Sequence, residues 1–216
     1  MARAVGDPNL LHIEGLVKLK HHDNHIAPRM NDLTASSQNL KIRKAIMSDA
    51  KAICEIYNQA VEERIATFET EPRTETDQRK RIAEQDERHP ILVAEFRRED
   101  EMIPGKYDET ILGWASISTY RPRSCYSAIG EFSIYVEKGS RGRGVGKRLM
   151  TALIQEARQH GYAKLVSRIF PFNVASRNLC RSCGFREVGT YEKHGRLDGK
   201  WVDTVIVERL IHENVI

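Results

Sequence analysis

No run of about 18 consecutive apolar residues occurs in the 216-residue chain, so no membrane-spanning helix is expected. Cysteine is scarce, at four residues, and no secretory signal precedes it, which fits reduced thiols in a cytoplasmic protein. Neither charge sign dominates: 34 basic and 30 acidic residues leave +4, spread along the chain. A nucleic-acid partner would want a basic stripe with interleaved aromatics, and aromatic residues make up only 7 %. A slight basic surplus does suit small anions. No internal repeat is visible, and a hydrophobic content of 40 % suits one domain with an appendage.

The appendage is residues 1–38, read as an N-terminal extension and expected to be partly disordered. It has no aromatic residue and closes on the turn-rich stretch Asn31–Asn39. His12, His21, His22 and His25 cluster there without paired ligand spacing, so no metal site is expected. Met30 is an alternative start. The domain proper is expected over 39–216.

From Leu40 the pattern becomes regular. Strands are expected at Leu40–Ala45, Ile91–Phe96, Thr110–Thr119, Ala128–Val136, Lys164–Ile169, Phe185–Tyr191 and Trp201–Leu210. Helices are expected after a Ser48/Asp49 cap with Ile53, Ile56, Tyr57 and Ala60 on one face, from Thr76 to before Pro90, from Val145 to Gly161, and at Ala175–Ser182. A charged turn with Pro104–Gly105 joins two of the strands. Strands and helices interleave without strict alternation, which predicts an α/β fold with a central mixed sheet and helices on both faces.

Between a strand and the most strongly patterned helix lies Arg141-Gly142-Arg143-Gly144-Val145-Gly146, followed by Lys147. Glycines at alternate positions leave backbone N–H groups unscreened, and at a helix start those donors are unpaired and lie at the positive dipole end. With two arginines and a lysine, this is a cradle for a diphosphate. The dinucleotide fingerprint needs G-x-G-x-x-G and the nucleotide-triphosphate loop needs Gly-Lys-Ser/Thr; neither spacing is present.

Glu131 opens the strand Glu-Phe-Ser-Ile-Tyr-Val just before this loop. Acyl transfer to an amine requires a base, because an ammonium cannot attack, and a carboxylate on a half-buried strand suits that role; the alternative is a strand-edge glutamate paired with an arginine. An irregularity beside this strand would free backbone groups around Ile134 and Val136 for an extended ligand arm, and a free N–H there could polarise a carbonyl. Asn173 and Ser176 suit the start of a second ligand-side helix, with Leu179 facing inward and Gly184 ending it. Arg121 and Arg123 flank a proline just before the Glu131 strand, and their guanidinium forks suit oxyanions. Phe68, within Ala66-Thr-Phe-Glu-Thr-Glu-Pro-Arg-Thr74, offers a flat wall for a small substrate. Cys180-Arg-Ser-Cys183 is a lone C-x-x-C, read as part of a helix and not as a redox or zinc site.

The loop pattern R-x-x-G-x-G, followed by Asn173-Val-Ala-Ser-Arg-Asn-Leu-Cys180 and Gly184-Phe185, resembles the signature of the GNAT N-acetyltransferases. Residues 40–211 resemble the phosphinothricin N-acetyltransferase branch, through the Phe68 stretch, Tyr-Arg-Pro-Arg123, the Glu131 strand and His194-Gly-Arg-Leu-Asp-Gly-Lys-Trp-Val-Asp203. The stretches around Phe170 and Trp201 resemble the arsinothricin-acetylating subgroup. The resemblance implies the GNAT acyl-CoA N-acyltransferase fold, a homodimer, and acetyl-CoA as co-substrate with no metal. It implies Glu131 as base, with Ile134, Tyr135, Val136, Arg141, Gly142, Arg143, Gly144, Val145, Gly146, Lys147, Asn173 and Ser176 holding acetyl-CoA. Phe68, Arg121, Arg123, Tyr126, Ser133 and Thr204 would line the pocket of a small amino-acid analogue. Cys180 stands where many relatives carry a tyrosine that protonates the leaving thiolate. The acceptor implied is the α-amine of a glutamate-like antimetabolite; another amine, or a non-catalytic acetyl-CoA-binding module, stays open on the residues alone.

Overall fold

The computed structural model describes residues 39–99 and 107–215. The N-terminal extension with its histidines and Met30, and the Pro104–Gly105 turn, lie outside the described residues. In chain order the elements are β1 (Leu40–Lys44), α1 (Ala50–Glu63), α2 (Glu75–Ala83), β2 (Ile91–Glu99), β3 (Tyr107–Thr119), β4 (Ile129–Val136), α3 (Val145–Gln159), β5 (Lys164–Ile169), α4 (Val174–Ser182), β6 (Arg186–Leu197) and β7 (Lys200–Leu210). The strands form one seven-stranded sheet in the order β1-β2-β3-β4-β5-β7-β6. β4 and β5 pair in parallel and their neighbours pair antiparallel, so the sheet is mixed as expected.

The period-2 alternation of the strands divides the core in two. On β2, Leu92, Ala94 and Phe96 join Val145, Leu149, Leu153 and Ala157 of α3. Ile91 and Val93 point the other way, onto Ile53, Ile56, Tyr57 and Val61 of α1 and Ile82 of α2. Each fully buried leucine of α3 contributes about 1.5–3 kcal/mol by leaving water. Helices therefore cover both faces. None of the helices among the described residues is long and apolar enough to cross a membrane.

Local side-chain bonding sets the ends of two helices. Thr74 and Asp77 form a capping box that starts α2, and the helix ends at Ala83, before Pro90 as expected. Downstream, side chains take over the backbone bonding: Gln85 donates to the Ala45 carbonyl and accepts from Ile91 N–H, and Asp86 accepts from His89 N–H. At α1 the Asp49 carboxylate accepts from Ile46 N–H and from Arg43, and Ser48 makes no cap. Arg43 also pairs with Glu95, which is 1 % exposed and paired again with Arg97, so a buried carboxylate is held between two guanidiniums. Burial pushes the Glu95 carboxyl upward, but its bonds to Arg43 and Arg97 outweigh this and hold it below the usual carboxylate range.

β6 runs six residues past the Tyr191 at which the sequence pattern fades. It continues because Asp198 and Gly199, both at positive φ (46° and 78°), make the two-residue turn that joins it to β7.

Candidate functional site

β4 and β5 are in register at only three pairs, from Ile129–Lys164 to Glu131–Val166. Beyond them β5 stays bonded to β7 while β4 stays bonded to β3, so the two strands part. The gap opens into a cleft of about 1020 Å³. Its walls are β4 from Glu131 to Val136, the glycine loop, the first turns of α3 and α4, and the segment Ile65–Glu69 after α1.

The loop wall is built from backbone. Gly142 and Gly144 sit at φ of 75° and 82°, where an L side chain is strained although the space around each is open. Gly144 caps α3 without any side-chain bond, so the first N–H groups of the helix lack intrahelical acceptors. Gly146 is needed for a different reason: a Cβ there would lie 3.1 Å from Leu179 of α4. Arg141 is tethered at 2.7 Å to Glu63 at the end of α1 and donates to the Val136 carbonyl. Asn173 caps α4 by accepting from Ser176 N–H at 3.1 Å, and its amide donates to the Ile65 carbonyl.

The opposite wall is built from side chains. Glu131, Ser133 and Tyr135 alternate with Phe132, Ile134 and Val136, and the latter three pack against the α3 core. Arg168 of β5 reaches across the fork and pairs with Glu131. Phe68 stands edge-on to Phe170 at 4.7 Å between centroids and lies against the Gly195 backbone, where a Cβ would come within 2.8 Å of its ring. Thr204, 1 % exposed, lines the cleft with a hydroxyl that has no hydrogen-bond partner among the described residues. Tyr57, Trp114 and Tyr135 form an aromatic floor, the last two stacked at 4.8 Å.

Glu131, Ser133, Ile134, Tyr135, Val136, Arg141, Gly142, Gly144, Gly146, Lys147, Asn173, Ser176, Phe68 and Thr204 thus all line one cleft. Val145 turns its side chain into the core, and Arg143 is not among the lining residues. Three expected placements are not met within the described chain. Cys180 is 1 % exposed on the core side of α4, and burial pushes its thiol up to about 12. A thiol buried there does not reach the cleft. Arg121 and Arg123 are exposed on the loop before β4 and do not line the cleft; Arg121 instead covers the rings of Tyr120 and Tyr126. Tyr126 also lies outside the lining. Sequence reasoning missed Arg73, Arg81, Trp114 and Arg168, all of which face the cleft. No local sequence signal marked Arg81; the structure turns it inward between the buried Gln78 and Ile82.

A strand gap that can accept an extended arm, a helix start with free N–H groups beside cationic side chains, and a carboxylate on the facing wall define a thioester-dependent acyltransferase class. The donor set fits acetyl-CoA: unpaired helix N–H groups for the diphosphate and an open strand edge for the pantetheine arm. Residues 54–185 match the acetyltransferase (GNAT) family model. A phosphinothricin N-acetyltransferase of Streptomyces coelicolor is 31 % identical over 79 % of the chain and 95 % of its own length. An L-methionine sulfoximine/L-methionine sulfone acetyltransferase of Pseudomonas aeruginosa is 33 % identical over 77 % of the chain and 92 % of its own. A GNAT phosphinothricin acetyltransferase structure from Sinorhizobium meliloti, in complex with acetyl-CoA, aligns with a TM-score of 0.70 at 29 % identity, covering 82 % of this chain and 91 % of that one. The chain belongs to the GNAT family of acetyltransferases.

Proposed function

We propose that this enzyme moves an acetyl group from acetyl-CoA to the α-amine of a glutamate-like antimetabolite of the phosphinothricin, arsinothricin or methionine sulfoximine class. The observation that carries the reading is Glu131 on the cleft wall, on the same strand as the free edge and ahead of the glycine loop. Bound acetyl-CoA supplies a thioester activated towards amines. Arg141, Lys147 and the N–H groups of Gly142–Lys147 hold its diphosphate, and Ile134–Val136 with Asn173 and Ser176 flank the arm.

Glu131 accepts a proton from the substrate ammonium, directly or through one water, and so creates the attacking amine. Arg168 fixes the carboxylate in place while leaving its second oxygen for that proton. A free N–H of the 134–136 segment polarises the thioester carbonyl as negative charge grows on its oxygen. Phe68 and Ser133 bound the acceptor, and Thr204 offers its unpaired hydroxyl to a polar group of it. Since Cys180 does not reach the cleft, the leaving thiolate takes its proton from water or from the amine. The amide product has lost the ammonium charge of its amino-acid parent, which makes the activity a detoxification. The S. coelicolor and P. aeruginosa relatives, named for such analogues, support this acceptor class.

Coenzyme A release measured with phosphinothricin, arsinothricin, methionine sulfoximine, spermidine and an N-terminal peptide tests the reading. Release with one or more of the amino-acid analogues, well above spermidine and peptide, is expected. Faster turnover of spermidine or peptide would replace the acceptor class, and no release with any amine would leave an acetyl-CoA-binding module. We further propose a homodimer acting in the cytoplasm, with the exposed apolar side chains Val188, Tyr191 and Trp201 of the β6–β7 hairpin as its contact face. Light scattering of the purified protein reads the assembly directly.

A further inference from the structure

The aromatic floor of the cleft carries one positive charge, on Arg81, that no carboxylate among the described residues pairs with. Arg73 lies over the Tyr57 ring at 4.1 Å and is paired with Glu69 through both Nε and a terminal nitrogen. Its backbone is pinned to α1, with Asn58 bonding its N–H and its carbonyl at 2.9 Å each, so the guanidinium is held in place before any ligand arrives. Arg81 of α2 lies over Trp114 at 5.4 Å and donates one hydrogen bond, at 3.1 Å, to the neutral Gln78 side chain. Among the described residues no carboxylate pairs with Arg81. Burial, and next the neighbouring Arg73, pull its guanidinium below the usual arginine value. The phenols of Tyr57 and Tyr135 are pushed upward by burial and add no negative charge.

A second, independent feature marks the same floor. Trp114 is 1 % exposed and lines the cleft, yet its Nε1–H has no hydrogen-bond partner among the described residues. A buried donor left unpaired costs about 1–3 kcal/mol, a cost that an acceptor atom on a ligand would remove. The subsite is therefore rich in donors and poor in acceptors.

We propose that Arg81, with Arg73 beside it, is the anion-recognition element for the acceptor tail, holding a carboxylate, phosphinate or arsinate over the Trp114–Tyr135 floor. This rests on the acetyl-transfer reading given above and adds to it the residue that selects charged over neutral tails. The spacing suits it: Ser133 and Tyr135 share a face of β4 and stand about 7 Å apart. That is comparable to the reach from the α-amine to the tail of a glutamate-sized amino acid. Binding there closes the charge balance that Glu69 leaves incomplete.

Two measurements test this. In the first, kcat/KM is determined for L-phosphinothricin, with an anionic tail, and for L-methionine sulfone, with a neutral one, in wild type, Arg81→Met and Arg81→Lys. Losing a charged hydrogen bond predicts that the phosphinothricin-to-sulfone ratio falls about 10- to 100-fold in Arg81→Met, mostly through KM. Arg81→Lys recovers part of the ratio, and Arg123→Ala changes it less than about threefold. An unchanged ratio in Arg81→Met overturns the proposal, as does a larger fall in Arg123→Ala. In the second, calorimetry follows glutarate, which has two carboxylates and no amine to acetylate, onto wild type and Arg81→Met in the presence of coenzyme A. Binding to wild type that weakens at least tenfold in the variant supports the subsite even if no amino acid is acetylated, in which case the acetyl-transfer reading alone falls. No glutarate binding to wild type, or equal binding to both, overturns the subsite.

Discussion

The two walls of the cleft are made of different materials. The donor wall is backbone: Gly142, Gly144 and Gly146, the uncapped start of α3, and an open stretch of β4. The wall proposed for the acceptor is side chain: Glu131, Phe68, Thr204, Trp114, Arg73 and Arg81, drawn from five separate stretches of the chain. A backbone wall recognises what every coenzyme A thioester shares, while a side-chain wall can be changed residue by residue for each acceptor. Damage to the two walls should therefore show in different kinetic constants.

The largest effect is expected at the point where both walls meet. Glu131→Gln should lower kcat by about 10²–10⁴ with little change in the KM of acetyl-CoA, because it removes the base and leaves the donor wall intact. Full kcat at every pH would remove Glu131 from that role. On the donor side, Gly144→Ala must hold an L residue at φ 82°, a cost of about 1–2 kcal/mol. The KM of acetyl-CoA is expected to rise about 5-fold or more, and that of the acceptor to stay within about twofold. On the acceptor side, Gly195→Ala sets a Cβ 2.8 Å from the Phe68 ring, so the ring must move. The acceptor KM should rise about threefold, with that of acetyl-CoA unchanged; the reverse pattern would erase the division between the walls.

The smallest effect concerns the sheet beneath both walls. Glu95 is held below its unfolded value of about 4.3 by Arg43 and Arg97. Its contribution is therefore complete above that pH and disappears as pH falls through the lower, folded value. Thermal midpoints should drop below about pH 4, and drop less steeply in Arg43→Met, which is already destabilised at neutral pH by loss of a buried pair.

The same division explains what the sequence made legible. The donor wall could be read because its parts are contiguous: Arg141–Lys147 is one stretch, and Asn173 and Ser176 share one helix turn. The α/β fold was legible for a similar reason, since the alternation of Ile91–Phe96 and the 145, 149, 153, 157 spacing are local patterns. The acceptor wall was only partly readable. Arg81, Trp114 and Tyr57 come together through the packing of α1 and α2 on the sheet, which no local spacing encodes. Arg121 and Arg123 drew attention by being adjacent to the Glu131 strand, yet adjacency in the chain left them on an exposed loop. Cys180 aligned with a position where relatives carry tyrosine, but the phase of α4 turns it to the core while Leu179 and Ser182 face the cleft.

The fork between β4 and β5 has one more consequence. It leaves an unpaired strand edge in the middle of a sheet, and such edges template pairing with other chains unless something guards them. Here the Glu131–Arg168 ion pair stands at the fork and sets charge where a foreign strand would have to enter. On the proposed reading, the donor's arm would lie along the same edge and cover the rest. Coenzyme A would then serve as a guest strand as well as a carrier, and its presence should slow aggregation on heating by more than its binding to any single loop would account for.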